Sequence, residues 1–408
     1  MGIKELKKLL KEKIPDYLEN IPLSKFRAKR IAIDISTWAY ANYSIAWNIV
    51  VGQTDVLEGP PNENDVLMIL FEKCLELVCK FLNHGVTPVF IFEGVAPPEK
   101  QKVKQKRKEN KTKKQESVLD LNNELSLLKL DPLSMNPLQI AKLRDKYLNA
   151  GFIGGNDLQQ LEEMLSAIGI PNFKARSDAE KLASFLCREG IVDAVYSTDT
   201  DNLVYGCSLW LIEFSGTKVL PIQNFKGEIE KRQVPVLQGV YLNKVLEGLH
   251  LSFSDFVDFC ILAGCDYNEK LKGKTIIPIY DLFLKYGSAE ETMNNHRNCN
   301  YLEVNLERCR EIFRYSKSEE WFFDYKDPKL FPSTEKKERN FNLNSKKLVE
   351  LGRAYLAQYR CSDYISKLHF LYQDCPTPIE CEFEMPINIV LHSYIFPAEK
   401  KDVRLAAF

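Results

Sequence analysis

The chain reads as an α/β protein, a mostly parallel sheet flanked by helices, and three observations carry that reading. The short runs Ile31-Ala32-Ile33, Pro88-Val89-Phe90-Ile91-Phe92 and Ala194-Val195-Tyr196 have the near-continuous apolar character of strands buried on both faces. Longer stretches with apolar residues three and four apart separate them, as crossover helices between parallel strands require. Each run also leads into acid: Asp34, Glu93 and, after a short turn, Asp199 and Asp201. In an open α/β sheet the carboxyl ends of the strands line the ligand crevice.

Taken in order, residues 1 to 20 predict an amphipathic helix with Ile3, Leu6, Leu9 and Leu10 on one face, stopping near Pro15. Residues 47 to 64, with Gly52, Gly59, Pro60, Pro61 and Asn62, read as a loop, and Val66 to Asn83 as an apolar helix closed by Gly85. After the strand ending at Glu93, helices are expected over Val118 to Leu130 and Leu138 to Leu148, parted by a turn from Pro132 to Pro137. Asn156 or Asp157 then caps a helix carrying Leu158, Leu161, Leu165 and Ile168, whose spacing is that of core packing. Leu209 to Phe214 and Lys218 to Pro221 predict a hairpin turning at Ser215-Gly216. A buried helix beginning at Ser254 delivers Asp266 just past Gly264.

Composition narrows the class. A length of 408 residues with 45% hydrophobic and 27% charged content is that of a soluble protein of two or three units. The net charge of -1 requires any basic surface to be local. Eleven cysteines without a Cys-x-x-Cys pair predict a reduced, intracellular protein, and the five histidines do not fall at zinc-ligand spacing. The longest apolar run, Val66 to Phe71, is too short to cross a bilayer, so no membrane association is expected. The basic start has no signal-peptide core, and Leu6 stands where a myristoylation signal wants Ser or Thr.

The acids are the chemical signal. Strand alternation would point Asp199 and Asp201 the same way, and two like charges held that close suit a hard divalent cation. Either feature has a plainer account. Asp after a strand is an ordinary turn former, and Ser177-Asp178-Ala179-Glu180 is a capping box in front of Leu182, Ala183 and Leu186. What favours a metal site is the coincidence of acids at several strand ends and one helix start, which capping and turn formation do not predict.

At Gly94-Val95-Ala96-Pro97-Pro98-Glu99-Lys100 the order of motifs becomes specific. Strand-Asp34, strand-Glu93 with Gly-x-x-Pro-x-x-Lys, Ser-Asp-Ala-Glu at 177–180, Thr-Asp-Thr-Asp at 198–201 and Gly264-Cys265-Asp266-Tyr267 together resemble the flap endonuclease or XPG family of structure-specific nucleases. So does the start, Met1-Gly2-Ile3-Lys4-Glu5-Leu6. The resemblance implies a PIN-like nuclease core in segments 1–97 and 157–250, a basic helical arch over 98–156 and a helical duplex-binding region over 251–316. Residues 317–408 carry no motif.

It implies Asp34, Glu93, Asp178, Glu180, Asp199, Asp201 and Asp266 as ligands of two Mg²⁺ ions, with Mn²⁺ able to substitute. Asp34, Glu93 and Glu180 fall mainly to one ion, with Asp178 acting through water, and Asp199, Asp201 and Asp266 to the other. Lys100 and Arg107 match the family's phosphate-directing pair. Tyr40 matches an aromatic that stacks on the base beside the scissile bond.

Lys100 to Lys114 holds nine Lys or Arg against one Glu, which alone describes a solvated helix or a localisation signal. Beside an acid cluster, Lys102, Lys104, Lys106 and Lys108 would attract phosphate that the acids repel. Lys272 and Lys274 flank Gly273 where the family has a Gly-hydrophobe-Gly hairpin against duplex phosphates, but the second glycine is here Thr275.

Two further departures, Glu93 where the family usually has Asp and Asp178 where it usually has Glu, resemble versions encoded by large DNA viruses. The last residues lack the sliding-clamp peptide of many members. A monomer acting on DNA junctions in a nucleus is the expectation. A scaffold that lost catalysis and an RNA-cleaving nuclease are the rival readings.

Overall fold

The computed structural model describes residues 2–100, scattered positions within 105–126, and residues 137–223, 229–295 and 304–314. Seven strands form one mixed sheet: β1 (Glu19–Pro22), β2 (Arg30–Asp34), β3 (Thr87–Phe92), β4 (Asn172–Lys174), β5 (Ala194–Tyr196), β6 (Leu209–Gln223) and β7 (Ile229–Tyr241), in the order β1-β7-β6-β5-β2-β3-β4. From β4 through β6 every neighbour is parallel, with Asp34 opposite Ile91 and Ile33 opposite Tyr196, whereas β7 is antiparallel to both β6 and β1. Parallel strands leave all their carboxyl ends on one edge, and that edge collects the acids.

Alternation along the central strands splits the core in two. Ala32, Val89, Ile91 and Val195 belong to one hydrophobic cluster, and Ile31, Ile33, Phe90, Phe92 and Ala194 to the other. The first is covered by α1 (Leu6–Lys13), α6 (Ala179–Arg188), α8 (Leu242–Leu249) and α9 (Phe253–Ala263); the second by α2 (Ile35–Gln53), α3 (Glu63–Asn83), α4 (Pro137–Ala150) and α5 (Gly155–Ala167). A sheet buried on both faces accounts for the uninterrupted apolar runs. Further helices among the described residues are α7 (Asp201–Val204), α10 (Ile276–Tyr286), α11 (Ala289–Asn294) and α12 (Leu306–Phe313).

Several expectations need correction. The first helix is shorter than residues 1 to 20, and Glu19–Pro22 instead pairs with β7. The expected loop from 47 is helical to Gln53, because Trp47, Val50 and Val51 pack into the core and outweigh the exposed Gly52. Ser215-Gly216 is not a turn: β6 runs through it with register shifts at Leu211/Glu213 and Phe214/Gly216, and its partner is Ile229–Tyr241. Gly216, at φ 127°, supplies the left-handed backbone such a bulge uses. The expected helix over Val118 to Leu130 and the turn from Pro132 to Pro137 lie mainly outside the described residues.

Candidate metal centre

Asp34 closes β2 and caps α2: its Oδ1 accepts from Thr37 N at 3.2 Å, and its Oδ2 accepts from Thr37 Oγ1 and, at 3.1 Å, from Ser197 Oγ. Ser197 Oγ in turn accepts from Asp199 N at 3.1 Å, and Asp199 Oδ1 from Asp201 N at 3.1 Å. Asp199 and Asp201 therefore do not alternate along a strand. β5 ends at Tyr196, and Asp201 opens α7, with Asn202 Nδ2 donating to Asp199 O to hold the turn. The two carboxylates share a site because a hydrogen-bonded turn places them there.

The Ser177 capping box does not form either. Asp178 stands at the N-cap of α6 without making a side-chain cap, while Glu93 accepts from the backbone N–H of Ala179. An acid from the end of β3 thus serves the N-terminus of α6, where a negative charge is favoured. Ligand atoms of Glu93, Asp178 and Glu180 lie within 4.8 Å of one another. Asp266 arrives from a different element. Gly264 turns the chain after α9 at φ 94°, with Lys270 backbone so close that a Cβ would fall 2.9 Å from its nitrogen.

Lys100 is a cation buried within this cluster. Its side chain is 7% exposed, and Nζ lies 2.7 Å from Asp178 Oδ1 and 3.8 Å from Asp266 Oδ2. Burial works against its charge, but Glu180, Asp178 and Glu93 outweigh it and hold its pKa above the ordinary lysine value. Burial also raises the carboxyl pKa values: Glu93 is pushed up to about 7, opposed by Lys100 and reinforced by Asp34 and Asp178. Asp34 and Asp199 are raised, and Glu180 and Asp201 lie well above the usual carboxylate range, in each case mainly through burial.

Glu180 Oε2 and Asp201 Oδ1 are buried without a hydrogen-bond partner. A buried carboxylate oxygen left bare is costly, and several together are what a hard oxygen-seeking cation satisfies. The residues present therefore fit a divalent metal, and the orphaned oxygens mark where it would be held.

Of the other expected site residues, Tyr40 is 53% exposed on α2, and Lys272 and Lys274 flank Gly273 in the turn between α9 and α10. Arg107, Lys102, Lys104, Lys106 and Lys108 lie outside the described residues. Sequence reading overlooked Thr37 and Ser197, which orient Asp34, and the hydroxyls of Tyr205 and Tyr267. The only signal for Tyr267 was its place directly after Asp266. A cleft of about 310 Å³ beside Asp34, lined by Trp38, Lys73, Lys80, Tyr196 and Phe214 among others, was also not foreseen.

A mostly parallel α/β core with an acid cluster at its carboxyl edge and a buried lysine among the acids defines an α/β protein with a candidate divalent-metal centre. Its lineage is explicit. The XPG N-terminal domain matches residues 1–114 and the XPG I-region residues 169–266, together just over half the chain. The chain belongs to the flap endonuclease/XPG family. Flap endonuclease 1 of Plasmodium vivax (strain Salvador I) is 25% identical over 373 residues, which is 90% of this chain and 55% of that protein. Flap endonuclease 1-B of Physcomitrium patens is 29% identical over 320 residues, 77% of this chain and 82% of that one. The chain spans about half the length of the Plasmodium vivax and Plasmodium falciparum relatives.

Solved structures share the fold. The catalytic core of Rad2 in complex with DNA substrate aligns over 90% of this chain and 100% of its own, at TM-score 0.53 and 16% identity. Flap endonuclease-1 from Methanococcus jannaschii aligns over 88% and 96%, at TM-score 0.50 and 19% identity.

Proposed function

We propose that this protein hydrolyses phosphodiester bonds of DNA near junctions of a 5′ single strand with duplex. The observation that carries the reading is the pair of bare buried oxygens, Glu180 Oε2 and Asp201 Oδ1, in a carboxylate cluster that also holds the Lys100 ammonium. Related chains bear the name flap endonuclease, and the Rad2 core was solved with a DNA substrate, which favours DNA as the polymer.

Asp34, Glu93 and Glu180, with Asp178 acting through water, would hold one Mg²⁺ or Mn²⁺ ion, and Asp199, Asp201 and Asp266 a second. Such ions, when bound, supply an activated water and charge stabilisation for the leaving oxygen. The chain's own groups do the rest. Lys100 places a positive charge where the scissile phosphate must sit, offsetting repulsion from the acids, and Arg107 would act with it. Tyr40, exposed on α2, is free to stack on the base beside the cut. The cleft beside Asp34, walled by Trp38, Tyr196 and Phe214, suits a stacked base, its Lys73 and Lys80 being offset by Glu76 and Glu213. The proposed division into core, arch and duplex-binding region follows the same reading, with Lys102, Lys104, Lys106 and Lys108 on the arch and Lys272 and Lys274 facing duplex.

A scaffold role is disfavoured because all seven acidic positions are kept. The test is cleavage of labelled 5′ flap, pseudo-Y, nicked duplex and RNA substrates with and without Mg²⁺. Metal-dependent incision of the flap and pseudo-Y at the junction is the expected result. Preferential cleavage of RNA would transfer the site to the other polymer, and no cleavage of any substrate would leave the scaffold reading.

A further inference from the structure

Asp178 has both carboxylate oxygens engaged. Oδ1 takes the Lys100 ammonium at 2.7 Å, and Oδ2 accepts from the Tyr267 hydroxyl at 2.5 Å. The face of the Tyr267 ring lies 5.5 Å from Lys100 Nζ, so one side chain meets Lys100 directly and also through Asp178. The Tyr267 proton is committed to Asp178, so Tyr205, whose hydroxyl is 2.6 Å from that of Tyr267, donates to it. Phe313 of α12 packs against both rings, with centroids 5.1 Å from Tyr205 and 5.5 Å from Tyr267.

α12 is itself fastened on either side of the pair. Arg308 Nε donates to Glu99 Oε1 at 2.6 Å, next to Lys100 in sequence. Asn305 N donates to Asn268 Oδ1 at 3.2 Å, two residues past Asp266. Arg310 forks onto Asp258 of α9. An ordinary core tyrosine needs only some partner for its hydroxyl, whereas this one orients an acid of the cluster that in turn orients the cluster's lysine.

We propose that Tyr267 is a positioning residue: braced by Phe313 and Tyr205, it fixes Asp178 and through it holds the Lys100 ammonium at the phosphate position. This rests on the functional reading above, in which Lys100 orients the scissile phosphate. It adds a reason for α12 to belong to the site, although that helix follows the last recognised motif.

The test uses the full chain with Tyr267→Phe, which keeps the ring and removes one hydroxyl, and Phe313→Leu, which loosens the brace without touching Asp178. Two quantities are measured: cleavage of a 5′ flap, and the rate at which Lys100 is acylated by an N-hydroxysuccinimide ester, followed by mass spectrometry. Losing a hydrogen bond to a charged group predicts a kcat about 10- to 100-fold lower with KM little changed. Lys100 acylation should rise about fivefold or more as the ion pair loosens, with Phe313→Leu changing both quantities in the same direction by less.

A lowered kcat with unchanged Lys100 acylation overturns the proposal, as does no change in either. Should the wild type cleave no substrate, the functional reading falls while acylation still decides whether Tyr267 positions Lys100. Should Tyr267→Phe fail to fold, the acylation rate in Phe313→Leu decides.

Discussion

Gly2 sits directly against Asp199: a Cβ built on it would fall 2.0 Å from Asp199 Oδ1, and 2.7 Å from Asp201 Oδ1. The N-terminal segment is tied there by Lys4 N donating to Gly264 O at 3.1 Å, so it cannot easily retreat. Gly2→Ala should therefore displace two carboxylates of the cluster and lower flap cleavage by about tenfold or more, the cost of a misplacement of about 1 Å. Its φ of 85° adds strain to any side chain. Wild-type turnover together with wild-type Mn²⁺ affinity in the purified variant would show that the contact is not felt.

Asp201→Asn should abolish cleavage and stabilise the metal-free protein at pH 8. The amide cannot hold a cation as a carboxylate does, yet it also removes a charge buried among like charges. Thermal unfolding in EDTA should give a higher Tm for the variant, and Mg²⁺ should narrow the difference by stabilising the wild type more. A lower Tm in EDTA would contradict the electrostatic account.

Stability without metal should fall as pH rises from about 4.5 to about 7. Burial raises the Glu93 pKa from 4.5 to about 7, so in that window the unfolded chain releases a proton that the folded chain retains. The contribution is fully present below the unfolded value and lost as pH passes the folded one, at about 3 kcal/mol for this group. Glu180 and Asp201 act in the same sense. Urea unfolding in EDTA at pH 5 and pH 8 measures the slope, and a saturating amount of MgCl₂ should flatten it. A rise in stability across the window would reverse the assignment.

Changing Lys100 and Arg107 together to Ala should lower the single-turnover cleavage rate more than duplex affinity. Lys100 is 5% exposed and paired within the acid cluster, so it contributes to placing one phosphate and little to the outer surface. Equal losses in rate and affinity would reduce the basic run to a general attractor.

Thr275→Gly probes the altered hairpin. Gly273 has φ 77°, whereas Thr275 is extended and stands at the N-cap of α10 without a side-chain cap; the Ile276 N–H is instead taken by Glu5 Oε2 at 3.1 Å. Removing the Thr side chain frees the backbone to approach duplex phosphate without costing a cap. The variant should bind flap DNA more tightly, respond more to K⁺ and gain up to roughly 0.9 in salt slope per new phosphate contact. Binding isotherms over a range of salt check this, and an unchanged slope would place duplex anchoring elsewhere.

The sequence by itself determined the three central parallel strands β2, β3 and β5 and the acids at or just past their carboxyl ends. Runs such as Ile31 to Ile33 leave little choice of structure, and an acid at each carboxyl end is legible residue by residue. Local pattern could not determine what depended on distant partners. Glu19–Pro22 became a strand because β7 offered an edge, and Gly52 stayed helical because Trp47 and Val51 were buried by other elements. Asp199 and Asp201 came together through a turn held by Ser197 and Asn202, not through strand alternation. By its own pattern Lys100 is the first residue of a solvated basic run, and although the family resemblance marked it as a site residue, only packing set its 2.7 Å pairing with Asp178, 78 residues away. Tyr267, Tyr205 and Phe313 meet from three separate segments. Sequence periodicity reports which face of an element is buried, but which side chains share that burial is settled by long-range contacts, and the charge of a buried group is set by those neighbours.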